Sequence, residues 1–406
     1  MGRVRFVFIT VFITVFITVF AVWSSGAVPA GVQSGEGGPH YGGDAGGAAC
    51  AAPSAMDDGW TVSAPAAEGF DAEALCAVLM RIDEGEDNIH GIIVERHGHL
   101  VGELYRSGSD TPIDIMSGFW FSRRTDFGPA VLHDTRSVSK SIVGLLFGIA
   151  REEGWAPALD AAVPDLYPDI AERRPAARDA VTVESLLTMS SGLDWDEGAL
   201  PNDETHLFWT SSIARHVLDR PAAARPMTVF NYNSGGTAVL ADLLERESGK
   251  RISVLADEFL FKPLGIGDRV WARDLRGRDL AFTGLRLRPR DMAKIDRLVL
   301  DGGSWHGRQV VPARWVEASL QPRISTGLTN PRTGELQYGY QWWAGELAWR
   351  DGTVRWNAAF GNGGQRIFIV PALDLQVVMT AGDYGSHDIA AREFELLEDI
   401  VSAARP

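Results

Sequence analysis

Extended, β-branched runs stand at both ends of this chain, and helical periodicity fills the stretch between them. On the N-terminal side, Ile92-Ile93-Val94-Glu95-Arg96 and Leu100 to Tyr105 flank His97-Gly98-His99, which is the pattern of a hairpin. Towards the other end, Tyr340 to Trp343, Val354 to Ala358, Arg366 to Val370 and Leu375 to Thr380 read as strands, the last two joined by a turn over Pro371 to Asp374. Residues from about 155 to 335 carry mostly helical periodicity and loops. Sheets bury their faces against other layers, and connections avoid crossing. The expectation is therefore an α/β (α+β) fold: one antiparallel sheet assembled from both termini, flanked by helices that include Asp71 to Ile82 and Ile389 to Ala403, with a mostly helical insertion.

The first 57 residues read differently. Residues 6–23 hold no charge and follow Arg3 and Arg5, so a positive segment precedes an apolar one, as in a signal peptide or membrane anchor. Val28-Pro29-Ala30 offers small residues at a cleavage point. Residues 24–57 are dominated by Gly, Ala, Ser and Pro, a composition that buries too little to fold and reads as a flexible linker. The body is then 58–406, exported to the periplasm or extracellular space or tethered through residues 6–23. Cys50 and Cys76 are the only cysteines and read as two incidental thiols. A net charge of −15 and a pI near 5.1, with no basic stripe, exclude nucleic acid as the natural partner.

Chemistry is concentrated at Ser137-Val138-Ser139-Lys140, at the head of a helix announced by Ile142, Val143, Leu145, Leu146, Phe147 and Ile149. Residues three apart share a helix face, so Lys140 reaches back to the Ser137 hydroxyl. The free N–H groups and positive end of the helix favour a neutral lysine and an oxyanion beside the serine. Lys140, Lys250, Lys262 and Lys294 are the only lysines among 38 basic residues. Arginine cannot give up its proton at working pH, whereas a desolvated lysine can.

Two more sites fit the pair. Tyr232-Asn233-Ser234-Gly235-Gly236 lies at a loop-to-helix junction, where Tyr232 can share a proton with Lys140, and Gly235 and Gly236 read as turn residues. Gly361-Asn362-Gly363-Gly364-Gln365 precedes a strand, and its near-absence of side chains lets a substrate approach the backbone. An N–H there could join the Ser137 N–H in an oxyanion hole. Trp120, Trp195, Trp209, Trp342 and Trp343 are candidates for an acyl pocket and better candidates for core packing. His133 and Arg136 read as supports of the nucleophile, and His97 and His99 as turn residues, not metal ligands.

With these residues in view, the chain resembles the serine β-lactamase and penicillin-binding-protein superfamily, in its class C-like hydrolase branch. The resemblance rests on His133 to Ser141, Leu186 to Leu193, Tyr232-Asn233-Ser234 and Gly361 to Gln365, in the family's order, and covers nearly all of 60–406. It implies Ser137 as nucleophile, Lys140 as base and Tyr232 as proton relay. It places Ser234 where Asn often stands, and backbone N–H groups of Ser137 and of Gly363 or Gly364 in the oxyanion hole. No metal or organic cofactor is implied.

Gly361 falls where the superfamily's β-lactamases and D-Ala peptidases carry Lys or His for a substrate carboxylate. That departure points to the 6-aminohexanoate-dimer hydrolase-like and esterase-like members, acting on a small-molecule amide or ester. A β-lactamase or D-Ala carboxypeptidase is the alternative enzyme, and a penicillin-sensing or non-catalytic binding module is the alternative outside enzymes.

Overall fold

Alternate residues of the central strands go to opposite faces of the sheet, and both faces are covered. Ile92 and Val94, Phe368 and Val370, Val377 and Met379 pack into one buried cluster, while Ile93, Ile367, Ile369 and Val378 pack into the other. A sheet buried on both sides needs continuous apolar strands. The computed structural model describes residues 52–114, 122–171, 180–199, 202–386 and 388–405. The expectations for residues 1–23, most of the 24–57 linker, Cys50 and Trp120 lie outside these residues.

The main sheet uses β1 (Thr61–Val62), β2 (Ile89–Arg96), β3 (His99–Tyr105), β4 (Ile324–Asn330), β5 (Gly334–Tyr338), β6 (Trp343–Trp349), β7 (Gly352–Gly361), β8 (Gln365–Val370) and β9 (Leu375–Ala381). Their order is β1-β3-β2-β9-β8-β7-β6-β5-β4. All neighbours are antiparallel except β1 and β3, which pair parallel over two residues. The two halves of the chain meet where β9 pairs with β2, from Leu375 opposite Arg96 to Ala381 opposite Ile89.

The helices that matter for the site and the sheet are α1 (Ala72–Asp83), α2 (Val138–Glu152), α3 (Val183–Leu187), α4 (Ser234–Ser248), α5 (Pro289–Leu300) and α6 (Asp388–Ala403). Leu75, Val78, Leu79 and Ile82 of α1 and Leu396, Leu397, Ile400 and Val401 of α6 cover one face. The other is covered by α2 and by Met292, Ile295 and Leu298 of α5. The architecture is the expected mixed one: a largely antiparallel sheet assembled from both ends of the body, with helices on both faces.

Several expectations need correction. β4 and β5 lie inside the stretch read as helical insertion, and α5 packs on the sheet, so the helical layer is narrower than 155–335. Tyr340 to Gln341 is not strand: Gly339 N–H bonds the Trp342 carbonyl at 2.8 Å and Gln341 turns back with φ +64°, so β6 starts at Trp343. The end of the supposed linker belongs to the body, because Pro53 is buried and the Ser54 carbonyl accepts from Arg290 at 2.8 Å. Cys76 is disulfide-bonded, not an incidental thiol; a spacing between two lone cysteines carries no signal of pairing.

Candidate active site

A two-residue strand, His133–Asp134, pairs with Leu285–Leu287 and delivers the chain to α2. Between them the backbone turns sharply. Arg136 has φ +50°, a left-handed conformation costly for a side chain with Cβ. Asp134 holds it there: one carboxylate oxygen accepts the Arg136 N–H at 2.9 Å and the other the Ile113 N–H at 2.7 Å. Ser137 follows as the N-cap of α2.

Lys140 is buried one turn on, and its Nζ donates to Ser137 Oγ at 2.7 Å and to the Phe282 carbonyl at 3.0 Å. Tyr232, from the turn before α4, brings its ring centre to 4.9 Å of Lys140 Nζ, and its hydroxyl interacts with both Lys140 and Ser137. Its neighbour Asn233 caps α4 by accepting the Gly236 N–H at 2.9 Å. The Asn233 N–H points at Met189 Sδ, 3.3 Å away. The Tyr232 ring stacks on Trp343 at 5.9 Å, and Trp343 stacks on Phe360 at 5.2 Å, so an aromatic wall runs from the tyrosine to the end of β7.

Ser234 is fully buried. Its N–H donates to Glu197 at 2.6 Å, and its hydroxyl has no hydrogen-bond partner. Gly235 is helical and not a turn residue; a Cβ there would enter the Trp195 ring, which glycine alone avoids. In the hairpin turn between β7 and β8, Gly363 and Gly364 have φ +84° and +96°. Gly361, at the end of β7, lies against the segment that leads into the nucleophile: a Cβ there would overlap the Thr135 carbonyl and crowd Arg136. Arg366 fixes this end of β7 from behind, donating to the Gly361 carbonyl at 2.7 Å while paired with buried Glu393 at 2.8 Å.

The charge state of the lysine departs from expectation. Burial pushes Lys140 down, but the charges of Tyr232, Glu197 and Glu204 outweigh it and hold its pKa above the ordinary value. Burial likewise raises Tyr232. Glu204 is lifted to about 7, by burial first and then by Glu197.

The Beta-lactamase family model matches residues 122–401, which contain Ser137, Lys140, Tyr232 and the Gly361–Gly364 turn. The chain belongs to the Beta-lactamase family. It is 26% identical over 339 residues to the 6-aminohexanoate-dimer hydrolase of Paenarthrobacter ureafaciens, covering 77% of this chain and 79% of that one. In fold it resembles the octameric penicillin-binding protein homologue of Pyrococcus abyssi, with TM-score 0.60, 20% identity and 80% and 76% of the two chains covered. A penicillin-binding protein homologue of Caulobacter crescentus superposes with TM-score 0.59, 18% identity and 81% and 96% coverage. This Beta-lactamase-family protein is a hydrolase acting on amide or ester bonds.

Sequence reading of this Beta-lactamase-family chain passed over four side chains at the site. Gln341 is a buried hub: its carbonyl accepts from Ser141 at 2.6 Å, its Oε1 from Thr237 at 2.8 Å, and its Nε2 donates to the Leu187 carbonyl at 3.0 Å. One polar residue inside Tyr340-Gln341-Trp342-Trp343 was the available signal. Glu197, Glu204 and Tyr384 carried none, because only folding brings them to the serine.

Proposed function

We propose that this hydrolase cleaves a small amide or ester through an acyl-enzyme on Ser137, in the manner of 6-aminohexanoate-dimer hydrolase-like or esterase-like enzymes. The observation that carries the reading is the 2.7 Å contact of buried Lys140 Nζ with the half-buried Ser137 Oγ. In the active form Lys140 has lost its extra proton. It takes the Ser137 hydroxyl proton as Oγ attacks the carbonyl carbon, and Tyr232 passes a proton to the departing amine or alkoxide as the C–N or C–O bond breaks. Water then attacks the acyl-enzyme, its proton returning through Tyr232 and Lys140, and Ser137 is released. Ser137 N–H and an N–H of the Gly361–Gly364 turn hold the oxyanion. The aromatic wall of Tyr232, Trp343 and Phe360 suits an apolar acyl chain. Both cations beside the serine are committed, Lys140 to Ser137 and Arg136 to Asp134 at 3.7 Å, which favours substrates other than carboxylate-bearing β-lactams. Residues 6–23 export or tether the enzyme in this reading, and N-terminal sequencing of secreted protein tests that part.

Intact mass after exposure to a fluorophosphonate tests the chemistry. One adduct on the wild type and none on Ser137→Ala is the expected result, with short esters and linear amides turned over faster than a chromogenic cephalosporin. The reverse substrate order would make it a β-lactamase. A stable penicillin adduct without turnover would make it a sensor, and no adduct on folded protein would make it a binding module.

A further inference from the structure

The Gly361–Gly364 turn and Ser137 come from opposite ends of the chain, and one aromatic ring joins them. The guanidinium of Arg136, the residue before the nucleophile, lies 4.1 Å from the centre of the Tyr384 ring. Arg136 also donates to the Thr111 carbonyl and sits on Asp134. Tyr384 is anchored at its far end, where its hydroxyl donates to buried Asp110 at 2.5 Å. The ring lies directly against Gly363, leaving no room for a Cβ. Its two chain neighbours hold the same turn: Asp383 N–H donates to the Gly363 carbonyl at 3.1 Å, and Gly385 N–H to Asn362 Oδ1 at 2.9 Å. Thus three consecutive residues grip the turn, and the middle one is gripped by the residue next to Ser137.

We propose that Arg136 and Tyr384 form a positioning clamp that sets the Gly361–Gly364 turn against Ser137, fixing the spacing between the two halves of the oxyanion hole. The inference rests on the acyl-enzyme reading above. Neither residue touches the substrate; both act through the turn. Tyr384 contributes its flat face, which supports the glycine turn and stacks under the planar guanidinium. The hydroxyl bond to Asp110 orients the ring.

A thionoester distinguishes this role from general support of the fold, because its sulfur accepts hydrogen bonds weakly and gains little from an oxyanion hole. The full-length enzyme, its active sites counted by fluorophosphonate titration, is assayed on a nitrophenyl ester and on its thiono analogue. For Tyr384→Leu the expected loss in ester kcat is about 10- to 100-fold, less than the roughly 100- to 1,000-fold that removing one oxyanion donor outright costs. KM should change little, and the ester-to-thionoester rate ratio should fall by about tenfold. Tyr384→Phe, which keeps the ring, should hold the ratio within about twofold. Arg136→Lys keeps charge without the planar stack and should lower the ratio, and it serves if Tyr384→Leu does not fold. An unchanged ratio in both Tyr384→Leu and Arg136→Lys, with wild-type labelling intact, would overturn the clamp alone. Failure of the wild type to label at Ser137 would instead overturn the acyl-enzyme reading on which it rests.

Discussion

Glu204 lies close enough to Lys140 for its charge to be felt there, which makes the lysine's proton a shared property of the site. A carboxylate favours the ammonium, so its removal lowers the lysine pKa. Glu204→Gln is expected to move the alkaline-rising limb of the kcat/KM profile to lower pH; a limb that stays in place or moves up would show that Glu204 does not control Lys140. Gly361 gives a second test at this scale. A methyl there overlaps the Thr135 carbonyl, so Gly361→Ala should destabilise by about 1–3 kcal/mol in urea titration, the range for an overpacked core. It should also lose most of its esterase activity, because it drives β7 from the nucleophile. The Ser137–Lys140 pair was legible because both residues sit on one helix, where spacing alone sets their distance. Lys140's charge was not, since it depends on Glu197 and Glu204 from a segment that only tertiary structure brings near.

At the level of elements, the start of α2 was legible from its apolar run Ile142 to Ile149, and every residue from Val138 to Ala150 is buried. The C-terminal strands were legible for the same kind of reason, a period of two between turn residues. Gln341 escaped because it breaks such a run. It joins α2 through Ser141, the end of α3 through Leu186 and Leu187, and α4 through Thr237. Truncating it leaves several buried groups without partners, each costing about 1–3 kcal/mol. Gln341→Leu is expected to lower unfolding free energy by about 3 kcal/mol, measured by denaturant titration. A loss under about 1 kcal/mol would mean that α3 and α4 are held in place without its side chain, the Ser141 bond to its main-chain carbonyl being kept in the variant.

On the scale of the whole molecule, the sheet carries a buried acid. Glu95 on β2 is raised to about 8, by burial above all, with Arg297 opposing, and Asp296 on α5 is held well above its usual value by burial and by Glu95. The unfolded chain releases the Glu95 proton near its ordinary value of 4.5, whereas the folded protein keeps it to about 8. Stability contributed by this protonated group is complete below the lower value and is lost as pH rises between the two. Glu95→Gln should flatten the fall in that window by up to about 1.4 kcal/mol per pH unit, one proton's worth. Equal slopes in urea titrations from pH 5 to 8 would rule the effect out.

The pairing of β2 with β9 also dictates when the protein can exist. During synthesis the first hairpin emerges about 270 residues before its sheet partner, and its apolar edge must wait for Leu375–Ala381 to leave the ribosome. The sheet therefore closes only after Leu375–Ala381 has left the ribosome, and until then the edge of the first hairpin stays open to chaperones.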